Sequence, residues 1–483
     1  MNSKEIFDEL NEISRQIVEL ENEHHKLLES PETKNKVSIT NLLNYIALRR
    51  IDIRAFQDTL HAHGLSSFAG SESHVASQLV QVKKRLMPGY TPGKEPVCDF
   101  IEGRKRLESN AQTLFGNRAN QKIPYLMVTC DAAFLDQPEK MRNLLENGMN
   151  IIRINCAHDN PKIWKKLIEL AKTQAQEAQT SCKIYMDLAG PKIRTEFFDD
   201  TKSVVIQEDE VFYIAESAHA IQSEHVVLGC TLPGITHSVQ VGERVMIDDG
   251  AQKSIVVEKN DNYLKLLMLR NSKKSKKIKA EKGLNFPDSI LEVPSLTDYD
   301  LECLDFISEH ADIVGYSFVN SAHDIRVLQN ALKKYDKKPY IILKIETPAS
   351  VANLPSLLIE GMRKELIGVM IARGDLAVEI GFARMSEVQD EILWFCEAAH
   401  VPVIWATQVL ENLHKTGIAT RAEMTDAAHA VAAECVMINK GDFTEKVLQT
   451  LKDVLQRTRD HRFKKRYYLR PLNIAHNFTI EKE

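Results

Sequence analysis

The chain is short of the features that mark several common classes of protein. No apolar run in its 483 residues approaches the roughly 20 needed to cross a bilayer, so no membrane association is expected. It has no excess of basic charge: the net charge is −5, from 62 Lys and Arg against 67 Asp and Glu. A dedicated nucleic-acid binder would carry a basic domain or stripe, so no nucleic-acid partner is expected. CxxC pairs are missing. The eight cysteines (Cys98, Cys130, Cys156, Cys182, Cys230, Cys303, Cys396, Cys435) are scattered. They read as small buried residues in a reducing cytoplasm, not as a disulfide frame or a zinc site. The opening Met1-Asn2-Ser3-Lys4-Glu5 has no apolar signal core, and a cytoplasmic location is expected. What is present is ordinary: 43% hydrophobic and 27% charged residues, enough to bury a sizeable core in two or three domains.

Residues 1–121 read as a small helical domain and linker. Ile6, Leu10, Ile13, Ile17 and Leu20 recur at helical spacing, predicting a helix over Ile6–Leu28 that Pro31 ends. Thr40 is placed to cap a second helix, Asn41–Leu60, and a third is expected over Ser73–Leu86. Met87-Pro88-Gly89-Tyr90-Thr91-Pro92-Gly93 breaks the pattern. Arg49, Arg50 and Arg54 fit an anion site, but fit a solvated helix face better.

From Tyr125 onward, strand-like and helix-like segments alternate. The expected strands are Tyr125–Cys130, Asn150–Asn155, Lys183–Asp187, Asp312–Phe318, Tyr340–Lys344, Ile367–Ala372, Val401–Ala406 and Glu434–Ile438. Amphipathic helices such as Pro138–Glu146, Pro161–Glu177 and Met385–Ala399 lie between them. Eight strands in βα alternation predict an α/β fold, a (β/α)₈ TIM barrel. It is expected in two parts, 122–195 and 287–460, with a tail over 461–483. Between the parts, residues 196–286 contain short alternating strands and a hairpin-type turn at Asp248-Asp249-Gly250, which predicts an inserted small β-barrel domain. The basic run Lys273-Lys274-Ser275-Lys276-Lys277 reads as a solvated loop. Lys282, just before the return to the barrel, is the better ligand candidate.

The stretch Tyr340–Asp375 organises the rest. Two buried apolar runs end in charge: Lys344-Ile345-Glu346 and Arg373-Gly374-Asp375. Charge at the carboxyl end of a barrel strand lies on the ligand-binding face. Glu346 and Asp375 offer two hard oxygen ligands of the kind Mg²⁺ takes, and Lys344 shares a strand face with Glu346. The same spacing also fits a buried Lys–Glu pair and a helix-capping Asp. Collected from all strands, however, the rim holds Arg153, Asn155, His158, Asp187, Lys192, Arg194, Lys344, Glu346, Arg373, Asp375, Thr407, Gln408, Asn439 and Lys440. That balance suits a phosphorylated, carboxylated small molecule held with a divalent metal.

These residues resemble the pyruvate kinase family, over Lys122 to about Leu455. The similarity runs through Arg153-Ile154-Asn155-Cys156-Ala157-His158, Asp187-Leu188-Ala189-Gly190-Pro191-Lys192-Ile193-Arg194-Thr195, Asp248-Asp249-Gly250 and Lys282-Gly283-Leu284-Asn285-Phe286-Pro287. It continues through Lys344-Ile345-Glu346, Ala372-Arg373-Gly374-Asp375-Leu376-Ala377-Val378-Glu379, Ala406-Thr407-Gln408-Val409-Leu410 and Thr420-Arg421-Ala422-Glu423. The resemblance implies phosphoryl transfer from phosphoenolpyruvate to ADP, giving pyruvate and ATP. It implies that Glu346 and Asp375 hold Mg²⁺, or Mn²⁺ in its place. It implies that Lys344 stabilises the phosphoryl group and enolate, and that Arg153 and Arg194 grip phosphates. Lys282, Asn155 and His158 would serve the nucleotide. Thr407 would lie on the face where the enolate is protonated, and the N–H groups of Gly374 and Asp375 would receive the substrate carboxylate.

Departures from the family matter as much. The family commonly has serine at Ala157 and glutamate at Lys192, and that serine helps bind K⁺ with the residues matching Asn155 and Asp187. An ammonium at Lys192 can supply the missing charge, so K⁺-independent activity is expected. The family's Leu-Ser-Gly-Glu loop after the eighth strand becomes Ile438-Asn439-Lys440-Gly441-Asp442, and no family C-terminal domain is seen. Two alternatives therefore stand beside a pyruvate kinase. One is a similar barrel using phosphoenolpyruvate or a 2-oxo acid with another acceptor. The other is a non-catalytic metabolite-binding paralogue. Thr420-Arg421-Ala422-Glu423 resembles the family's subunit-contact segment, which allows a homodimer.

Overall fold

The computed structural model describes residues 1–118, 122–272, 277–291 and 293–467. Eight parallel strands close into a barrel: Tyr125–Thr129, Ile151–Asn155, Lys183–Asp187, Ile313–Tyr316, Tyr340–Ile345, Ile367–Ala372, Val403–Ala406 and Cys435–Ile438. The first pairs with the last, Tyr125 opposite Cys435 and Met127 opposite Met437. These strands are buried almost throughout, as expected of short apolar runs covered by helices outside and side chains inside. Alternate residues face the barrel interior. Tyr125, Ile151, Tyr185, Ile313, Ile342, Met370, Ile404 and Cys435 share one core there. The next residues on the same faces are the charged ones: Arg153, Asp187 and Lys344. The pleat thus lifts the charges to the carboxyl end and leaves the apolar layers below.

The inserted sheet has seven strands, in the order Leu284–Asn285, Arg244–Ile247, Gln252–Lys259, Tyr263–Asn271, Val211–Ala215, Val227–Cys230, Thr195–Glu196. Its two edges meet at a bridge between Arg194 and Gly283, so the sheet is barrel-like. The two chain crossings into the insert are zipped together. Leu284 N donates to Ile193 O at 2.9 Å and Thr195 N to Lys282 O at 2.8 Å. Phe212, Ile214, Val245, Ile247, Leu264 and Leu266 form its separate core. Asp248 and Asp249 both take φ 55°, the left-handed pair a tight hairpin turn requires. Lys273–Lys276 of the basic run lie outside the described residues.

The N-terminal helices differ from expectation in detail. The first runs Ser3–Glu23, with a capping box at Asn2, and His25–Glu29 follows after a break. The expected helix Asn41–Leu60 is two helices, Lys36–Arg49 and Arg54–Ala62. Asp52 lies just before the second start, its carboxylate accepting from Arg54 N at 3.1 Å. Thr40 is therefore inside a helix, not at its cap. A helix the sequence reading did not anticipate, Phe100–Phe115, is capped by Asp99 and closes the amino-terminal mouth of the barrel with Ala111, Leu114 and Phe115.

These helices share one continuous core with the barrel, from Ile6 to Leu455. Buried polar groups stitch the seam. Asn41 Nδ2 donates to the carbonyls of Glu72 and Ala398, both at 2.8 Å, and Asn41 Oδ1 accepts from Val75 N at 3.1 Å. His400 Nδ1 meets Ser38 Oγ at 3.0 Å and its Nε2 meets Ser73 O at 2.9 Å. After the last barrel helix, Thr444–Arg459, a short hairpin of Arg462–Phe463 and Arg466–Tyr467 returns to the body. Three of its cations meet carboxylates: Lys464 meets Glu434, Lys465 meets Glu72 at 3.2 Å, and Arg466 meets Glu397 at 3.4 Å. Residues 468–483 of the expected tail, and the domain boundary at Gln121, lie outside the described residues. Among the described residues no helix is long and apolar enough to cross a membrane.

Candidate active site

Arg153, Asp187, Lys344 and Glu346 come together at the carboxyl ends of the second, third and fifth strands. Arg153 Nε donates to Asp187 Oδ2 at 2.6 Å and its Nη1 to Thr129 Oγ1 at 3.0 Å. Tyr185, two residues before Asp187 on the same face, donates its hydroxyl to Asp187 Oδ1 at 2.7 Å. Lys344 Nζ lies 3.0 Å from Glu346 Oε1 and 3.8 Å from Asp187 Oδ1, and donates to Ser317 Oγ at 2.7 Å. Glu346 Oε2 accepts from Phe318 N at 2.7 Å. Burial works against the charge of Lys344, but Asp187 and Glu346 outweigh it and hold the ammonium above its ordinary range. Burial likewise opposes Asp187, yet Arg153 and Lys344 keep its carboxyl below the usual range. Glu346 moves the other way, raised by burial against the pull of Lys344.

Asp375 opens the helix Arg373–Ile380 directly after the sixth strand. Its Oδ1 accepts from Lys192 Nζ at 2.8 Å, and Asp249, on the hairpin of the insert, stands 4.0 Å from the same ammonium. Burial opposes the charge on Lys192, and Asp375 overcomes it, raising the amine above its usual range. Lys192 thus goes to Asp375, across the cleft from the insert. Asn155 sits opposite Asp187 in the strand register, with its own Oδ1 taken by Ala157 N at 3.1 Å.

Thr407 and Gln408 follow the seventh strand with φ 63° and 53°. Left-handed backbone at two successive non-glycine residues is strained, and it turns the Thr407 side chain onto the next strand end. There Thr407 Oγ1 accepts from Gly374 N at 2.6 Å. Arg373, stacked on Trp405 at 4.4 Å, donates to the carbonyls of Ala406 and Thr407 and pairs with Asp426, so it braces this corner. The nucleotide-side candidates are more open. Arg194 donates to Glu281 O at 2.9 Å, and Lys282 pairs with Asp248 at 2.9 Å. The His158 imidazole is held below its ordinary range by burial, then by Lys440 and Arg194. Lys440 reaches from the eighth strand end to Asp131 beyond the first, at 2.6 Å.

The donor set decides the class of metal the site can hold. Among the described residues no group of three His, Cys, Asp or Glu gathers, which argues against a zinc-type cage. Glu346 and Asp375 remain, each already facing an ammonium. Two carboxylates that leave the rest of the shell to water and substrate oxygen suit Mg²⁺. Sequence reading missed Thr129, Tyr185, Ser317, Asp249 and Asp426. Each is a partner to a charged residue, and nothing in the local pattern distinguishes such a hydroxyl or carboxylate from a solvated one.

Comparison with known proteins agrees with this geometry. The family model for the pyruvate kinase barrel domain matches residues 128–445. Pyruvate kinase 2 of Trypanosoma brucei brucei is 30% identical over 318 residues, covering 64% of this chain and 62% of that protein. The pyruvate kinase of Thermotoga maritima is 31% identical over 297 residues, covering 61% of each. The crystal structure of a pyruvate kinase from Cryptosporidium parvum superposes with a TM-score of 0.63 at 25% identity, over 72% of each chain. The chain spans a little over 60% of the length of these curated relatives. With a barrel, a barrel-like insert and a matching domain model over most of its length, the chain belongs to the pyruvate kinase family.

Proposed function

We propose that the protein transfers the phosphoryl group of phosphoenolpyruvate to ADP, giving pyruvate and ATP, with Mg²⁺ and without a need for K⁺. The observation that carries this reading is the pairing of ammonium and carboxylate at neighbouring strand ends: Lys344 with Glu346, and Lys192 with Asp375. Glu346 and Asp375 would hold Mg²⁺, or Mn²⁺ in its place, which neutralises phosphate and carboxylate charge when bound. Lys344, fixed between Asp187 and Glu346, faces the phosphoryl group as it leaves the enol oxygen for the terminal oxygen of ADP. Arg153 and Arg194 supply further cations for the phosphates. Lys282, Asn155 and His158 serve the nucleotide. The N–H groups of Gly374 and Asp375 receive the substrate carboxylate, Gly374 by exchanging its bond with Thr407. The Thr407 hydroxyl accepts from Gly374 until the substrate carboxylate takes that N–H, and in either state its own proton is free to pass, with water, to the enolate carbon. Lys192 supports K⁺-independence by bringing a positive charge to Asp375 in a chain whose Ala157 lacks the hydroxyl of the family's serine.

In this reading the chain divides into a helical domain and linker (1–121), a barrel (122–195 and 287–460), the inserted domain (196–286) and a tail (461–483), working in the cytoplasm, with Thr420-Arg421-Ala422-Glu423 available for a homodimer. The Lys440–Asp131 pair favours a second reading, in which the same barrel hands the phosphoryl group to another acceptor. The test is pyruvate formation from phosphoenolpyruvate and ADP with Mg²⁺, with and without K⁺. Equal turnover in both is expected, and a many-fold rise with K⁺ sinks the Lys192 argument. Phosphoenolpyruvate binding with no turnover on ADP shifts the reading to another acceptor. Lys344→Ala is expected to lower the rate by several orders of magnitude; unchanged turnover removes Lys344 from the mechanism.

A further inference from the structure

A cavity of about 420 Å³ lies at the root of the insert, beside the candidate active site. Both chain crossings line it, residues 191–193 on the way out and 284–291 on the way back. Barrel loops close the other side, with Phe318 after the fourth strand, residues 347–349 after the fifth, and Glu379 on the helix that follows the sixth. Of the candidate active-site side chains only Lys192 reaches it. Its size is in the range of small-molecule sites.

Most of the wall is apolar. Phe286, Leu291 and Phe318 give aromatic and branched surface, and Ile290 beside them is 88% exposed. Charge is confined to a few groups, and most of these are matched. Lys192 is taken by Asp375 at 2.8 Å, and Asp288 by Arg244 at 2.5 Å. Glu379 has no cation partner among the described residues. Its Oε1 accepts from Asn285 Nδ2 at 2.7 Å. Asn285 is 6% exposed, and its Oδ1 is buried without a hydrogen-bond partner. Burial, then Asp375 and Asp288, raise the Glu379 carboxyl above its ordinary range against Asn285 and Arg244. The cavity therefore has a carboxyl short of a cation next to an amide oxygen short of a donor. A metal ion needs more oxygen ligands than these two, and water for the rest of its shell, which apolar walls do not favour. An ammonium carries three donors on one atom, and the body attached to it can cover the apolar wall.

We propose that this cavity binds a small apolar primary amine, its ammonium held by Glu379 and Asn285 Oδ1 and its body against Phe286, Ile290 and Phe318. Such an occupant touches both crossings and the barrel together, so it fixes the position of the insert over the strand ends. The proposal does not rest on the function assigned to those strand ends.

The test is calorimetric titration of the full chain with cyclohexylmethylamine, and with cyclohexylmethanol as an uncharged counterpart of nearly equal shape. The amine is expected to bind about tenfold or more tightly than the alcohol. Glu379→Gln keeps an oxygen for Asn285 and removes the charge, and is expected to erase that difference. Ala349→Phe sets a ring at the cavity from an exposed position on the helix Pro348–Ala352, and is expected to weaken both ligands. No binding, or equal binding of amine and alcohol to the wild type, overturns the proposal. So does a preference for the amine that persists in Glu379→Gln, which assigns the ammonium to Glu346 or Asp375. Hydrogen exchange locates the ligand without any variant. The amides of residues 284–291 are expected to exchange more slowly with the amine bound, and unchanged exchange there places the amine elsewhere and sinks the idea.

Discussion

Gly315 shows how closely single residues are constrained around the site. A Cβ there would stand 2.1 Å from both Asp187 Oδ1 and the Tyr185 hydroxyl. The fourth strand is bare at this point so that the third can turn a carboxylate and a phenol inward. Gly315→Ala must push Asp187 off Arg153 and Lys344. It is expected to cost about 1–3 kcal/mol in denaturant unfolding and to lower turnover more than stability alone explains. Wild-type stability and turnover would show that the barrel can yield here. Lys344, Glu346 and Asp375 stood out in the sequence because each closes or follows an apolar run that reads as a buried strand. Ser317 and Thr129 did not, since a hydroxyl at the end of a strand has no pattern of its own. The direction of Lys192 was equally hidden. It depends on the insert folding back far enough to bring Asp249 within 4.0 Å.

Elements were readable where their environment was uniform. The barrel strands, covered on both sides, were found to within a few residues, and the helices Pro138–Glu146 and Pro161–Glu177 coincide with expectation. Phe100–Phe115 was not found, because Gly103 and a run of charged residues interrupt its apolar face. Gly103 is there for close packing: a Cβ would meet Ser73 O at 2.3 Å. The seam this helix shares with the earlier helices has a pH dependence. Burial holds His400 down to about 4 and His74 to about 4, against 6.5 when unfolded. The unfolded chain therefore takes up protons at these sites first, and stability falls as pH drops from 6.5 toward 4. Glu397, raised to about 7 by burial, has the opposite sign, losing stability as pH rises from 4.5 through 7. His400→Gln should flatten the acid-side slope, by at most about 3 kcal/mol between pH 6.5 and 4. An unchanged slope in urea unfolding at several pH values would show that His400 does not report the seam.

At the scale of the whole molecule, the N-terminal helices pack into one core with the outer layer of the barrel, while the barrel interior and the insert each have a core of their own. A chain starting at Asp99 loses the partners of Ala398 and His400 and leaves the outer face of helix Phe382–Ala398 uncovered. It is expected to be insoluble or to unfold without a cooperative transition. A soluble fragment with a sharp thermal midpoint would show the helices to be a separable attachment. The helix that stoppers the barrel has a further consequence, in time instead of space. Phe100–Phe115 leaves the ribosome before any barrel strand, yet Phe115 rests among residues as late as Cys435. At ordinary rates of synthesis the interval is roughly 20 to 60 seconds. Over that period the half of the helix around Gly103 already has Ser73 to lean on. The half carrying Leu114 and Phe115 waits for the barrel to be assembled around it.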